Sequence, residues 1–270
     1  MRADLVPDDL WERVAPLLPP VPERRRRYPG RLRVPDRVAL AGVLYVLRTG
    51  VAWRDVPAET VGCSGVTAWR RLRDWTEAGL WPSLHAALLT ELRQANLLLD
   101  LDDCAVDGSH VRALKRGDHV GPSPVDRARP GSKHHVIVDR HGTPLAVALT
   151  GGNRHDVTQL LPLLDAVPPI RGLRGRPRRK PRRLYADRGY DFDKYRRLLW
   201  KRGIKPMIAR RGVAPGSGLG KVRWVVERAF AWLHQFKRLR IRYERRADLH
   251  QGLLELACSI ICLRRLRSSF

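Results

Sequence analysis

The hydrophobic period of this chain changes near residue 100, and the change separates a helical part from a part built on strands. Before it, apolar residues recur three and four positions apart. Leu10, Val14, Leu17 and Leu18 line one stripe of the segment from Pro7 to Leu18, and Val38, Leu40, Ala41, Leu44 and Leu47 follow Asp36, placed to cap, until Gly50. A third helix is predicted from Ser64 to Gly79, with Val66, Trp69, Leu72 and Trp75 on its apolar stripe and Arg70, Arg71, Arg73 and Asp74 away from it. Pro82 fits the first turn of a further helix through Leu97.

After residue 100, short segments rich in Val, Ile, Leu and Ala run from Asp103 to Val111, Lys133 to Asp139 and Thr143 to Thr150, the last two joined by the turn Arg140-His141-Gly142. A helix over 156–167, a strand over 182–187, a helix over 192–203, a short strand over 205–209 and a long helix from Lys221 complete the order βββαβαβα. An antiparallel set that continues into strand-helix alternation predicts an α/β fold, a mixed sheet flanked by helices. The pattern places a small all-α unit over residues 1–98 and an α/β unit over 99–270.

Charge narrows the class of partner. There are 52 Lys and Arg against 27 Asp and Glu, a formal net charge of +25. Such an excess attracts polyanions and releases the counterions of phosphates, so nucleic acid is the expected partner rather than a small metabolite. The charge is clustered: residues 24–33 hold six Arg, and residues 171–183 hold eight basic residues and no acidic one, amid Gly and Pro. Both read as solvated loops suited to phosphate contact. The arginines of the Ser64 helix suit the recognition helix of a helix-turn-helix, although an amphipathic helix of a plain bundle has the same periodicity.

Nothing predicts a membrane span. The most apolar run, Leu253 to Leu263, is short and contains Glu255. The acidic start, with Asp4, Asp8, Asp9 and Glu12, does not read as a signal peptide, so a cytoplasmic location is expected. Cys63, Cys104, Cys258 and Cys262 lack zinc-site spacing and read as buried thiols.

Three acidic residues stand out against the basic background. Asp107 in AVDGSH and Asp187 in YADRGYD each follow an apolar strand and precede a Gly closely, so both carboxylates leave the sheet at strand ends. Glu227 lies on the long helix, on one face with Arg223, Ala231, His234 and Arg238, while Val222, Val225, Val226, Ala229, Trp232, Leu233 and Phe236 surround the opposite face. Any one Asp before Gly is more simply a turn residue, and Glu227 can pair with Arg223 one turn away. Together, two Asp and one Glu are a sufficient protein share for Mg²⁺, whose remaining ligands are waters and phosphate oxygens, and two such ions can drive in-line displacement at a phosphodiester. Arg188, Lys221, Arg223 and Arg228 are the cations available to the phosphate.

The ordered stretches VDGSHV, GSKHHVIVDRHGTPL, GGNRHD, YADRGYD and RWVVERAFAWLHQFKRLRIRYE resemble the DDE transposases of bacterial insertion sequences, the insertion-sequence-five family in particular. VPDDLWERVAPLLPP, LRTGVAWRDVP and the tryptophan-rich helix resemble that family's N-terminal DNA-binding domain, so the likeness covers nearly the whole chain. It implies a ribonuclease-H-like catalytic domain behind a helix-turn-helix-like one. It further implies cleavage at terminal inverted repeats and strand transfer into target double-stranded DNA by a homodimer on a bacterial nucleoid. Asp107, Asp187 and Glu227 become the catalytic and metal-binding triad for two Mg²⁺ ions, with Mn²⁺ an acceptable substitute. Trp69, Arg70, Arg71, Arg73, Arg188, Lys221, Arg223, His234, Lys237 and Arg238 become the nucleic-acid contacts. The family's signature around the last acid is Tyr, two residues, Arg, three residues, Glu, six residues, Lys. Here Gly220 stands at the Tyr position and His234 at the Lys position, with Lys237 and Arg238 the nearest replacements.

Two other readings stay open. A DNA-binding regulator or decayed transposase without catalysis needs the same basic patches, and a nuclease of the same fold needs the same acids. A transition-metal site among His134, His135, His141 and His155 is disfavoured because adjacent strand residues point to opposite faces. Asn153, His155 and Asp156 are placed to cap the following helix instead.

Overall fold

The computed structural model describes residues 5–21, 23, 27, 31–95, 99–212 and 220–268. The helical part contains α1 (Asp8–Val14), extended by a 3₁₀ turn to Leu17, α2 (Asp36–Thr49), the one-turn α3 (Ala58–Val61), α4 (Gly65–Glu77) and α5 (Leu80–Gln94). Local chemistry sets several ends. The Ser64 hydroxyl accepts from the Thr67 N–H at 3.3 Å and caps α4. The one-turn α3 and the turn before Ser64 lead into α4. Most of the first basic loop, residues 24–33, lies outside the described residues.

The second part supplies β1 (Asp103–Ala113), the two-residue β2 (Gly121–Pro122), β3 (Pro130–Val138), β4 (Pro144–Gly151), α6 (Leu160–Asp165), β5 (Arg183–Ala186), α7 (Asp193–Lys201), β6 (Lys205–Ile208), α8 (Gly220–His234), β7 (Ile241–Arg242) and α9 (Ala247–Arg267). The main strands lie in the order β4-β3-β1-β5-β6. β3 is antiparallel to β1 and β4, whereas β5 runs parallel to β1 and β6 parallel to β5. β2 extends the sheet beside β3, and β7 pairs with the far end of β1. This is the ribonuclease-H-like mixed sheet, with its antiparallel strands first and its parallel strands last. The β3–β4 turn is held by Asp139, whose Oδ1 accepts from the N–H groups of His141 and Thr143 at 3.0 and 2.7 Å. Gly142 in that turn has a φ of +79°, which suits a residue without a Cβ.

The last helix departs from the strand-helix order expected at the C-terminal end. α9 is 21 residues long and apolar around most of its girth, with Leu249, Leu253, Leu256, Cys258, Ile260 and Leu263 all buried. It packs along α5, across β4 and against α4, so the apolar core runs unbroken from the N-terminal helices to the sheet. Four cysteines, Cys63, Cys104, Cys258 and Cys262, are buried free thiols. No helix among the described residues is long and apolar enough to cross a membrane.

Candidate active site on two parallel strands

The parallel pairing of β1 and β5 sets Ala105 beside Tyr185; two residues further along, Asp107 lies inside β1, paired with Val136 of β3 rather than at the strand end expected from the sequence, while Asp187 lies just past the end of β5. Asp107 is half-buried; its Oδ1 accepts from the Gly108 N–H at 2.8 Å and its Oδ2 from Arg223 at 3.1 Å. Asp187 follows the last residue of β5 and accepts from the Gly189 N–H at 2.8 Å. Burial raises the Asp107 carboxyl above its ordinary pKa, and the charge of Asp187 adds to the rise against the pull of Gly108 and Arg223. A pair of carboxylates in this state is under-compensated.

Two further side chains complete the surroundings, and neither stood out in the sequence as a site residue. Asp156 does not cap a helix; its Oδ1 takes the Lys133 ammonium at 2.9 Å, and Lys133 also donates to the Arg154 carbonyl at 2.8 Å. Asp156 lies over Gly108, where an added Cβ would meet the carboxylate at 2.9 Å, so the residue after Asp107 has no room for a side chain. Tyr190 closes the turn after Asp187 and is buried, and its phenol feels Asp107, Asp156 and Asp187. His135 bonds Thr150 Oγ1 at 2.8 Å, and burial pushes its pKa down to about 4. His134, on the opposite face of β3, bonds His250 of α9 at 2.8 Å instead.

The third expected acid stands apart. Glu227 is exposed on α8, and Arg223, one turn before it, reaches Asp107 and so meets the acid pair directly. Among the described residues no three His, Cys, Asp or Glu side chains stand close enough to share a metal ion. The structure thus joins two of the three acids and sets the last on a neighbouring helix that packs against β1, β3 and β5.

The predicted nucleic-acid contacts separate into open and occupied groups. Arg70 and Arg188 are exposed, as is Lys237. Arg70 lines a depression of about 640 Å³ with Arg31, Arg33, Ser64 and Thr67. Arg71 is committed to Asp36 at 2.8 Å, and Arg73 to Asp74 at 2.7 Å with its guanidinium over Trp69. Trp69 is half-buried beside the cleft that separates α4 from β7. The Lys221 side chain lies outside the described residues. Arg228 lies over the rings of Trp224 and Trp232 at 4.3 and 4.9 Å and donates to the His141 carbonyl. In the second basic loop, Arg178 and Arg183 are tied to Asp102 and Asp103, while Arg174, Arg176 and Arg179 are exposed.

Arg238 and His234 correct the sequence reading most clearly. Arg238 is 3% exposed; it donates to Glu244 at 2.6 Å and to the Val51 carbonyl at 3.0 Å, so it fastens the helical part to the sheet and is buried away from DNA. Glu244 also accepts from His250 at 3.3 Å, and the pair of partners holds its carboxyl at about 2 despite burial. Because Glu244 only accepts, His250 donates its Nδ1–H to it. His234, tilted against His134 with ring centroids 6.4 Å apart, is half-buried, and burial lowers its pKa. It belongs to this cluster rather than to a phosphate-facing surface.

Residues 99–262 match the transposase DDE domain family, and residues 6–85 match a family described as "Putative transposase of IS4/5 family". A Burkholderia cepacia protein described as "Putative transposase for insertion sequence element IS402" is 65% identical over 148 residues, 55% of this chain and 70% of that protein. The transposase for insertion sequence element IS1106 of Neisseria meningitidis serogroup B is 28% identical over 153 residues, 52% of this chain and 47% of its own length. Among solved structures, the Mos1 mariner paired end complex with Mn is similar over 92% of this chain and 82% of its own, at 11% identity and a TM-score of 0.32, too loose an overlap to transfer residue roles. The chain belongs to the DDE transposases, within the IS4/5 group.

Proposed function

We propose that this enzyme binds the terminal inverted repeats of an insertion sequence, cuts the DNA there with the help of Mg²⁺, and joins the freed 3′ ends to target DNA. The observation that carries the reading is the placement of Asp107, in the middle of β1, near Asp187, just past the end of the adjacent parallel strand β5, both half-buried. Hard carboxylate oxygens suit Mg²⁺ and accept Mn²⁺ in its place, and the bond from Arg223 to Asp107 Oδ2 supports a site that takes positive charge. Asp107, Asp187 and Glu227 would hold two ions, Glu227 lying one helical turn, about 5.4 Å, from Arg223 on the same face of α8. Bound there, the metal supplies the charge that activates the attacking oxygen and stabilises the leaving one.

The chain's own residues do the rest. Arg223 and Arg188 offset charge on the phosphate, and Gly108 and Gly189 fix the carboxylates through backbone N–H groups. Residues 1–98 act as the DNA-binding unit, with Arg70 on α4 reading the repeat end, and residues 99–270 as the catalytic unit. A homodimer brings two ends together, and the work is done in the bacterial cytoplasm where the chromosome lies.

The test uses linear DNA carrying the element's terminal repeats. Wild-type protein with Mg²⁺ is expected to nick it and to join the 3′ ends to a target duplex, while Asp187→Asn binds and does not cut. Equal cutting by the variant overturns the assignment of the acids. Free fragments without joining identify a nuclease, and binding without cutting by the wild type identifies a regulator.

A further inference from the structure

Tyr190 is 1% exposed, yet its hydroxyl has no hydrogen-bond partner. A buried phenol without an acceptor destabilises a fold, and phenylalanine would fill the same space without that penalty. The hydroxyl is not in an apolar setting. Burial and the charges of Asp107, Asp156 and Asp187 raise the phenol pKa well above its usual value, so it stays protonated and able to donate. Of these acids, Asp156 is already answered by Lys133 at 2.9 Å. Asp107 is answered by a single side chain, Arg223, on the Oδ2 side.

We propose that Tyr190 is a positioning residue of the cutting site, its hydroxyl donating a hydrogen bond to the Asp107 carboxylate when the Asp107–Asp187 pair holds its divalent cation. The donor fixes the direction in which Asp107 presents its lone pairs to the ion, as groups behind metal ligands do. Arg223 reaches Asp107 Oδ2, and the Tyr190 hydroxyl is buried without a partner. The inference rests on the reading of Asp107 and Asp187 as the cation-holding pair.

Tyr190→Phe keeps the ring and removes the donor. Three readouts on the full chain separate the cases: thermal midpoint, Mn²⁺ affinity by electron paramagnetic resonance of the free ion, and the rate of DNA cutting at saturating Mg²⁺. The variant is expected to hold or raise the thermal midpoint, to bind repeat DNA as the wild type does, and to lose about tenfold in both Mn²⁺ affinity and cutting rate, the size of one charge-assisted hydrogen bond. Unchanged Mn²⁺ affinity and cutting overturn the proposal, and so does a lowered thermal midpoint, which makes the hydroxyl structural. Asp187→Asn is the reference arm. If it retains Mn²⁺ binding and cutting, the reading of the acid pair has failed; if it loses both while Tyr190→Phe matches the wild type, only the role of Tyr190 has failed.

Discussion

Two polar clusters on this sheet are built from the same kinds of side chain and are left in opposite electrical states. Around Glu244, the carboxylate takes two donors of Arg238 and one of His250, His250 takes His134, and Arg238 spends another donor on the Val51 carbonyl. Around Asp107, Arg223 meets one carboxylate oxygen, and the buried phenol of Tyr190 has no hydrogen-bond partner. The consequence appears in the two acids themselves. Glu244 is buried and Asp107 half-buried, yet Glu244 is drawn down to about 2 whereas Asp107 is pushed up. Buried polar groups that are fully answered hold a fold together, and those left short mark where a ligand brings what is missing.

The sharpest way to break this contrast is to remove an acid from each cluster. In the acid pair, Asp187→Asn is expected to lower the cutting rate at least about a thousandfold, roughly 4 kcal/mol in the barrier at 1.36 kcal/mol per factor of ten, without lowering stability. Single-turnover cleavage and thermal melting measure the two. Asp107→Asn is expected to lose cutting likewise and to melt higher at pH 7. The sign follows from the raised folded pKa: the ionised carboxylate is disfavoured by folding, so stability falls as pH rises through that value. The gain over wild type therefore shrinks as pH drops and both states of Asp107 become protonated. A variant that melts lower at pH 7 would make the acid pair a second structural cluster like that around Glu244.

In the Glu244 cluster the expectation inverts. Glu244→Gln leaves Arg238 buried without its counter-charge and is expected to cost about 3–5 kcal/mol of stability, read by chemical denaturation. The wild-type pH profile carries the same signature. With a folded value of about 2 against an ordinary 4.5, Glu244 contributes stability that is full above pH 4.5 and is lost as pH falls toward 2. A Glu244→Gln protein that melts like wild type removes the distinction between the two clusters.

Sequence patterning reaches Asp107 and Asp187 because their signal is local, an apolar strand, then Asp, then Gly within two residues, but only Asp187 stands at a strand end, since β1 runs on past Asp107 to Ala113. It reaches the β3–β4 hairpin and the start of α4 for the same reason. What it misses depends on contacts distant in the chain. Asp156 sits where a capping residue belongs, yet Lys133, 23 residues earlier on β3, takes its carboxylate. Arg238 and Arg188 are alike as letters, and only the packing of Val51 and Glu244 around the first removes it from the surface. α9 has no apolar stripe because nearly every face of it is covered, so a search for periodicity passes over the helix that joins the two halves of the core. Glu227 is placed on its helix correctly by pattern, but pattern is silent on the gap between that helix and the acid pair.

The smallest expected effects come from α4, where the same contrast of open and answered groups recurs between neighbours. Arg70 is exposed above the depression it shares with Arg31 and Thr67, while Arg71, one residue on, is tied to Asp36 with side chains only 12% and 14% exposed. Arg70→Ala is expected to leave the melting point alone and to weaken repeat binding severalfold, lowering the slope of log K against log salt by about 0.9, the share of one phosphate contact. Arg71→Ala is expected to lower stability by about 1 kcal/mol, through loss of a partly buried pair between α2 and α4, and to leave the salt slope where it was. Titrations of the two variants at several salt concentrations decide the matter. If Arg71 and not Arg70 moves the slope, then Asp36 releases its arginine to DNA, and an ion pair that looks closed in the free protein is one of the contacts made on binding.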